Sequence, residues 1–224
     1  MSVPADSSFR ETERSKTWEN VTVEEIGKEI AGRAGVDLSY DVEGGTIQIK
    51  TIEQSERTDC DFYMDLCNTY GLAMKVYSKK IVVFDREAYK AKGPVGTITR
   101  DMIEAFNGGG RLAGTYTGGE YTYTDPYTEE EIRVNVGEGP RILKRSGKAD
   151  NKADAERKIK ALVANANHGA RKISITIMGN AMWVATQCVV VQGVGKLSGK
   201  YYLDKITHHI GKSYTMDLEM SMVE

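Results

Sequence analysis

The sequence has little of what marks several classes of protein. Its 3 cysteines among 224 residues are too few, and odd in number, for a disulfide scaffold. Lys and Arg total 30 against 32 Asp and Glu, so the overall basic excess of a typical nucleic-acid-binding protein is absent, although a local basic patch stays open. The most apolar segment, 181–194, is shorter than the roughly 20 residues of a membrane-spanning helix and is interrupted by polar side chains. We therefore expect a globular protein with neither a nucleic-acid nor a membrane partner.

The first part of the chain predicts a small α+β domain at residues 17–90, after a polar lead-in at 1–16 that lacks the apolar run of a secretory signal. Thr22 and Glu25 form a capping box, which predicts a helix that Gly35 ends. A second helix starts at Thr58 or Asp59, ends at Gly71 and precedes a hairpin, Leu72 to Val76 and Lys80 to Phe84. Two helix–glycine–strand units suffice for one packed core.

The rest of the chain predicts a second, mainly β domain. Residues 91–112 are rich in glycine, which favours a linker or loops. At 113–224 we predict a hairpin around Asp125 and Pro126, a helix from about Lys152 to Asn167, and four further β segments. Alternating strands and short turns are typical of an antiparallel, barrel-like sheet that hides its edges. The predicted fold class is therefore α+β: a small α+β domain, then an antiparallel β-barrel-like domain with one helix.

No residue pattern predicts catalysis, a cofactor or a metal. The run Gly108-Gly109-Gly110 lacks the Lys-Ser/Thr of a phosphate-binding loop, and no G-x-S-x-G motif is present. His208 and His209 are neighbours on a predicted strand, so they point to opposite faces and cannot easily bind one metal ion. We predict that the chain is not an enzyme and has no cofactor.

Tyrosines are concentrated around the predicted hairpin, at 116, 121, 123 and 127. They could stack on carbohydrate or bases, but tyrosine more often forms cross-strand pairs or protein contacts, because it offers a large area with a polar tip. We favour packing or protein contact over ligand binding.

Short segments spread over nearly the whole sequence resemble a known family in their order and spacing. They are Asp6–Arg10, Arg14–Thr22, Ile26–Ala31, Gly35, Gln54–Asp59, Tyr70–Gly71, Lys80–Asp85, Gly114–Tyr116, Tyr123–Pro126, Arg141–Leu143, the Ala-rich helix, Met178–Asn180, Gly199–Tyr201, Ile206–Gly211 and Tyr214. In these the chain resembles baseplate hub proteins of contractile phage tails and related bacteriocin particles, of the PBSX-prophage, late control gene D-like type; residues up to about 85 resemble the family's middle domain.

The resemblance implies a structural, non-catalytic role in the tail baseplate of a virion or particle assembled in the bacterial cytoplasm. Hubs of this family form a trimeric ring that joins the tail tube to the central spike, so the implied partners are the tail tube protein, the spike protein and other baseplate proteins. Each hub protomer usually contributes two tube-like barrels, whereas only the later one is evident here. We therefore expect the first barrel to be missing from this sequence or supplied by another chain.

For such a ring we predict that the Gly-rich segment and the hairpin contact a neighbouring tail protein. The candidate interface residues are Asn107, Gly108, Gly109, Gly110, Tyr116, Tyr121 and Tyr123. The alternative function is a cell-wall carbohydrate- or peptidoglycan-binding module of a tail protein, for which the tyrosines would supply stacking surfaces. A wall hydrolase is a third hypothesis, but no acid pair or nucleophile supports it.

Overall fold

The computed structural model describes residues 8–42, 46–77, 79–110, 113–125 and 127–223, and confirms an α+β fold. The helices are α1 Ser8–Glu11, α2 Val23–Arg33, α3 Asp59–Thr69, α4 Arg86–Ala91 and α5 Lys152–Asn167. The strands are β1 Glu13–Thr22, β2 Asp37–Asp41, β3 Gln48–Thr58, β4 Leu72–Tyr77, β5 Lys80–Asp85, β6 Pro94–Ile98, β7 Ile103–Gly110, β8 Gly118–Thr124, β9 Glu131–Gly137, β10 Ile142–Ser146, β11 Arg171–Met178, β12 Cys188–Val191, β13 Gly199–Ile210 and β14 Tyr214–Met222.

The chain divides into two compact units. The first comprises Met1–Arg86 and Thr117–Leu162, and the second comprises Glu87–Tyr116 and Val163–Glu224. This grouping differs from the predicted domains at 17–90 and 113–224, because β8, β9 and β10 belong with the first unit. The division depends on contacts between distant parts of the chain, which local sequence patterns do not contain.

In the first unit, the predicted helix–glycine–strand pattern is confirmed. Thr22 Oγ1 accepts from the Glu25 N–H at 3.1 Å, while a Glu25 carboxylate oxygen accepts from the Thr22 N–H at 2.8 Å. This reciprocal pair satisfies two of the free donors at the start of α2. Gly35 and Gly71 follow α2 and α3 with φ of 63° and 76°, the left-handed conformation that glycine adopts without steric cost.

The polar lead-in predicted at 1–16 is wrong for residues 8–16, and residues 1–7 lie outside the described part. Phe9 in α1 is only 1% exposed and belongs to the core of the first unit. From Glu13 onward, β1 pairs antiparallel with β3, where Trp18 lies opposite Ile52. The sequence pattern does not indicate this strand, because most of its side chains face solvent, many of them charged, and only Trp18 is buried.

Two three-stranded sheets complete the first unit. One has the order β2–β5–β4, and the other has the order β10–β8–β9 with β10 parallel to β8. The hairpin β8–β9 confirms the predicted one, whereas β10 was not predicted. The helix predicted from about Lys152 to Asn167 is confirmed as α5, and the Asn151 side chain caps it by accepting from the Asp154 N–H at 2.9 Å.

The second unit is built on a six-stranded sheet with the order β6–β12–β13–β14–β11–β7. Through the pairing register, Ile98 at the end of β6 lies level with Gly199, and Ile103 at the start of β7 lies level with His208. In a flat sheet these ends would be about 30 Å apart along the strands and about 24 Å across them. Five Cα–Cα steps from Ile98 to Ile103 span at most about 19 Å. The sheet therefore curls, as a half-barrel.

The prediction of a Gly-rich linker or loops at 91–112 is wrong over most of its length. Residues 94–98 and 103–110 are strands, and β7 pairs antiparallel with β11 from Ile103 to Gly110. A strand is held by backbone hydrogen bonds, so glycines can join a ladder without contributing any hydrophobic alternation that a sequence pattern would show.

Candidate protein interface

Strand β7 forms one edge of the six-stranded sheet. It pairs with β11 on one side, and no other described strand pairs with its outer side. All its residues after Ile103 are solvent-exposed. An edge strand of this kind presents backbone N–H and C=O groups that another strand could pair with. The candidate residues Asn107 to Gly110 are thus at a free sheet edge and not in a loop.

The two faces of β7 differ in chemistry. Phe106 and Gly108 lie opposite Ile175 and Ile173, on the apolar face of the sheet. At Gly108 an added Cβ would lie 2.7 Å from Ile173 Cγ2 and 3.1 Å from Phe106 Cζ, so glycine is required by the packing. Gly109 lies on the other face, where nothing lies within 4 Å of an added Cβ.

The opposite face of this sheet carries a polar network. The Thr176 hydroxyl donates to Asp217 at 2.6 Å, and His209 Nε2 lies 2.7 Å from the other oxygen of the same carboxylate. The hydrogen bonds from Thr176 and His209 lower the pKa of Asp217. His208 instead pairs with the Tyr214 hydroxyl at 2.9 Å, so the two histidines have separate partners, as the strand alternation predicts.

The predicted tyrosines lie in different environments. Tyr121 and Tyr123 on β8 are 7% and 3% exposed, and burial raises the pKa of Tyr121. The Tyr121 hydroxyl donates to the Lys148 carbonyl at 3.3 Å, within the first unit. Tyr116 is half-buried, and the Asn167 side chain bonds both its backbone N–H and its C=O at 2.8 Å.

The candidate residues belong to different units and differ in burial. Tyr121 and Tyr123 are packing residues in the first unit, with almost no side-chain surface for a partner, whereas Asn107 to Gly110 are exposed in the second. Sequence reasoning could not separate these roles, because burial of a tyrosine depends on what packs over its strand. That any of the seven residues contacts a partner stays a prediction.

The structure also reveals groups that sequence reasoning missed. In the second unit, His168 Nε2 lies 2.9 Å from Asp204, and the Ser221 hydroxyl donates to the other oxygen of that carboxylate. In the first unit, Lys50 lies beside the exposed Tyr127 at a groove. Neither group has residues close together in the sequence, so no local motif signals them.

Within the residues that the structure describes, no group of three or more His, Cys, Asp or Glu side chains is arranged to hold a metal ion. No helix among the described ranges has the length and apolar composition needed to cross a membrane.

The chain resembles known tail proteins in its fold. The sequence model of a family described as YQBQ-like matches residues 142–221, and no curated protein matches the chain. Among solved structures, the prophage MuSo2 43 kDa tail protein from Shewanella oneidensis is similar with a TM-score of 0.71 at 12% identity, over 92% of this chain and 66% of that one. A tail protein from Neisseria meningitidis MC58 has a TM-score of 0.70 at 15% identity, over 93% and 69%.

A third similar structure is the E. coli c3393 protein, a component of the type VI secretion system described as similar to the T4 tail proteins gp27 and gp5. Its TM-score is 0.64 at 10% identity, over 97% of this chain and 53% of that one. At such identities the likeness shows the fold alone, and this chain spans about two thirds or less of the Shewanella and E. coli proteins. The fold is therefore one that phage tail proteins share.

Proposed function

We propose that the chain is a structural baseplate hub component, which joins the tail tube to the central spike of a contractile phage tail or phage-tail-like injection particle. The observation that carries the proposal is the fold, which matches two tail proteins, one of them from a prophage, over more than nine tenths of this chain. The segments that resemble hub proteins lie in both compact units. This resemblance supports the role of a hub in particular, among the roles that tail proteins have. In this proposal the chain is an assembly part and not an enzyme.

The partners in the proposal are the tail tube protein, the central spike protein, other baseplate proteins and two further copies of the chain. A homotrimeric ring needs a heterologous interface, in which one surface of each copy meets a different surface of the next. The exposed outer edge of β7 supports such an interface, because its backbone groups have no described strand partner. Asn107 to Gly110 are the part of the predicted interface that this edge favours.

The test is immunogold labelling of particles from an induced lysate of the strain that encodes the chain, viewed by negative-stain electron microscopy. Particles are partly disassembled first, so that the baseplate interior is accessible to antibody. We expect label confined to the spike end of the tail. Label along the tube, or intact baseplates without label, would refute the hub proposal. Retention of the purified chain on cell-wall sugars would then favour the wall-binding alternative.

The same preparation tests the β7 edge through a matched pair of variants. Gly109→Lys places a charge on the exposed edge, where the structure leaves open space, and lysine on an edge opposes strand addition. Ser213→Lys places the same charge in the exposed turn between β13 and β14. We expect Gly109→Lys to reduce particle yield while Ser213→Lys does not. Equal yields would remove β7 from the interface without touching the location of the chain.

A further inference from the structure

The first unit contains a groove with a volume of about 620 Å³, between β3, α3 and residues 148–150. Ile52, Leu66 and Tyr70 are apolar groups of its lining. This volume lies in the range of about 300–1,000 Å³ that is common for ligand-binding clefts. The groove is therefore large enough to take several side chains of a bound segment, and its aliphatic groups suit apolar side chains.

Tyr127 lies at this groove and is 79% exposed. Its position is fixed by the backbone, because Asp125 Oδ1 accepts from the N–H groups of Tyr127 and Thr128 at 2.8 and 3.1 Å. The Tyr127 hydroxyl accepts from Lys50 Nζ at 3.2 Å, and the same ammonium lies 4.9 Å from the ring centroid. A largely exposed aromatic ring held in one place is the kind of anchor that partner binding covers.

Some charged side chains of the groove have a bonding partner, and others have no ion-pair partner among the described residues. Asp150 accepts the backbone N–H of Lys50 at 3.0 Å, and Lys158 pairs with Asp154 at 2.7 Å. The ammonium groups of Lys50 and Lys148 form no ion pair with any carboxylate in the described part of the chain.

Glu53 is the other acid of the lining, three residues further along β3 from Lys50 and about 10 Å away along the strand. The groove therefore carries two lysines without ion-pair partners among the described carboxylates. Lys50 lies beside the exposed ring of Tyr127, and its hydrogen bond with Tyr127 and the nearby charges of Asp150 and Asp125 raise the pKa of Lys50.

We propose that this groove binds an extended peptide segment of a partner protein that combines carboxylates with apolar side chains. The carboxylates lie at Lys50 and Lys148, and the apolar side chains lie over Ile52, Leu66 and Tyr127. The side chains of Ile49, Ile52 and Leu66 offer such a peptide an apolar surface, and the two lysines favour carboxylates, which a neutral glycan lacks. The proposal concerns the first unit only and stands independently of the hub assignment.

The test is fluorescence anisotropy with the full chain and a fluorescein-labelled decapeptide in which Glu and Leu alternate. A matched decapeptide carries Gln in place of each Glu. We expect the Glu peptide to bind at least about tenfold more tightly than the Gln peptide at low salt, and to weaken as salt is raised, because charge attraction is screened. Lys50→Glu and Lys148→Glu should each weaken binding of the Glu peptide about tenfold or more. Tyr127→Ala should weaken both peptides.

The chain offers a matched control outside the groove. Tyr77 is 68% exposed and pairs with the exposed Lys80 across β4 and β5. Tyr77→Ala and Lys80→Glu should each change peptide affinity by less than about twofold, since distant surface charges are largely screened. Circular dichroism of every variant checks that the fold is kept.

Three results overturn the proposal. The first is no detectable binding of either peptide up to a protein concentration of about 1 mM, which is weaker than even low-affinity recognition. The second is equal binding of the Glu and Gln peptides, or equal loss in the control variants. The third is tighter binding of chitin or muropeptide fragments than of peptide, with the same dependence on Tyr127, which would make the groove a glycan site. None of these results bears on where gold label falls on the particle.

Discussion

Substitution of the neighbouring glycines Gly108 and Gly109 tests whether this segment is a strand, as the structure shows, or a loop, as the sequence predicts. Neither Gly108 nor Gly109 has a positive φ, so alanine fits the backbone at both positions. At Gly108, however, the new methyl group would lie 2.7 Å from Ile173 Cγ2, closer than carbon atoms pack, and the buried Ile173 side chain cannot shift easily. At Gly109 the methyl group would enter open space. In a loop, both changes would be nearly neutral.

The expected effects have opposite signs. Gly108→Ala should destabilise the second unit by about 1–3 kcal/mol, the usual cost of overpacking a core. Gly109→Ala should stabilise it by about 0.4–1 kcal/mol, because alanine restricts the unfolded chain more than glycine does. Hydrogen exchange of peptides from β11 measures both, since β11 pairs with β7. A loss of 1–3 kcal/mol corresponds to amide exchange about 5- to 150-fold faster when the equilibrium between closed and open forms sets the exchange rate.

The result that would refute this reasoning is equal behaviour of the two variants. Two neutral variants would mean that residues 107–110 are a loop in solution, as the glycine content predicts. Two destabilised variants would mean that Gly109 is packed against a surface, such as another copy of the chain. Measurement at several protein concentrations distinguishes this second case, because only association makes the effect depend on concentration.

Two more predictions concern buried charges. Asp59→Asn should cost about 3 kcal/mol of unfolding free energy by urea denaturation, because the 3%-exposed Asp59 carboxylate accepts two hydrogen bonds from Arg33, at 2.8 and 3.0 Å, and also lies 3.5 Å from Arg14 Nε. Burial alone would raise the pKa of Asp204, but the hydrogen bonds with His168 and Ser221 lower this pKa below the ordinary value of 3.8. The ionised Asp204 therefore stabilises the fold above pH 3.8, and this stabilisation is lost as pH falls through the lowered pKa. The difference in unfolding temperature between wild type and Asp204→Asn should therefore shrink below about pH 4.

Each prediction has an internal control. Asp65 on the same helix pairs with Arg57, but its side chain is 59% exposed, so Asp65→Asn should cost less than about 1 kcal/mol. If Asp59→Asn costs no more than Asp65→Asn, the buried pair contributes no more to the free energy of unfolding than the exposed pair does. For Asp204, a difference from wild type that stays constant from pH 7 to pH 3 would show that hydrogen bonding to the ionised form is not its source.

Several elements followed from the sequence because their signals are local. The capping box at Thr22 and Glu25 and the positive φ at Gly35 and Gly71 depend on residues within one helical turn. The apolar stripe of α5 and the alternation in β11, β13 and β14 likewise repeat within a few residues. Such patterns state which face of an element is buried, but not what it is buried against.

The segments that the sequence does not predict correctly depend instead on distant parts of the chain. β6 pairs in parallel with β12 about 90 residues later, and β10 pairs in parallel with β8. β7 has a strand partner only because β11 supplies one. Since glycine has no side chain to alternate, the sequence of β7 predicts flexibility as readily as it predicts an edge strand.

By itself, the sequence determined the fold class, most helices and strands, and the lack of any catalytic motif. The tertiary structure decided which tyrosines are buried, how the chain divides into units, where β7 lies in the half-barrel, and that Lys50, Lys148 and Tyr127 share one groove. The physical reason is the range of the interactions. Caps and amphipathic periods are set by neighbours along the chain, whereas edges, burial and grooves exist only once distant segments pair and pack.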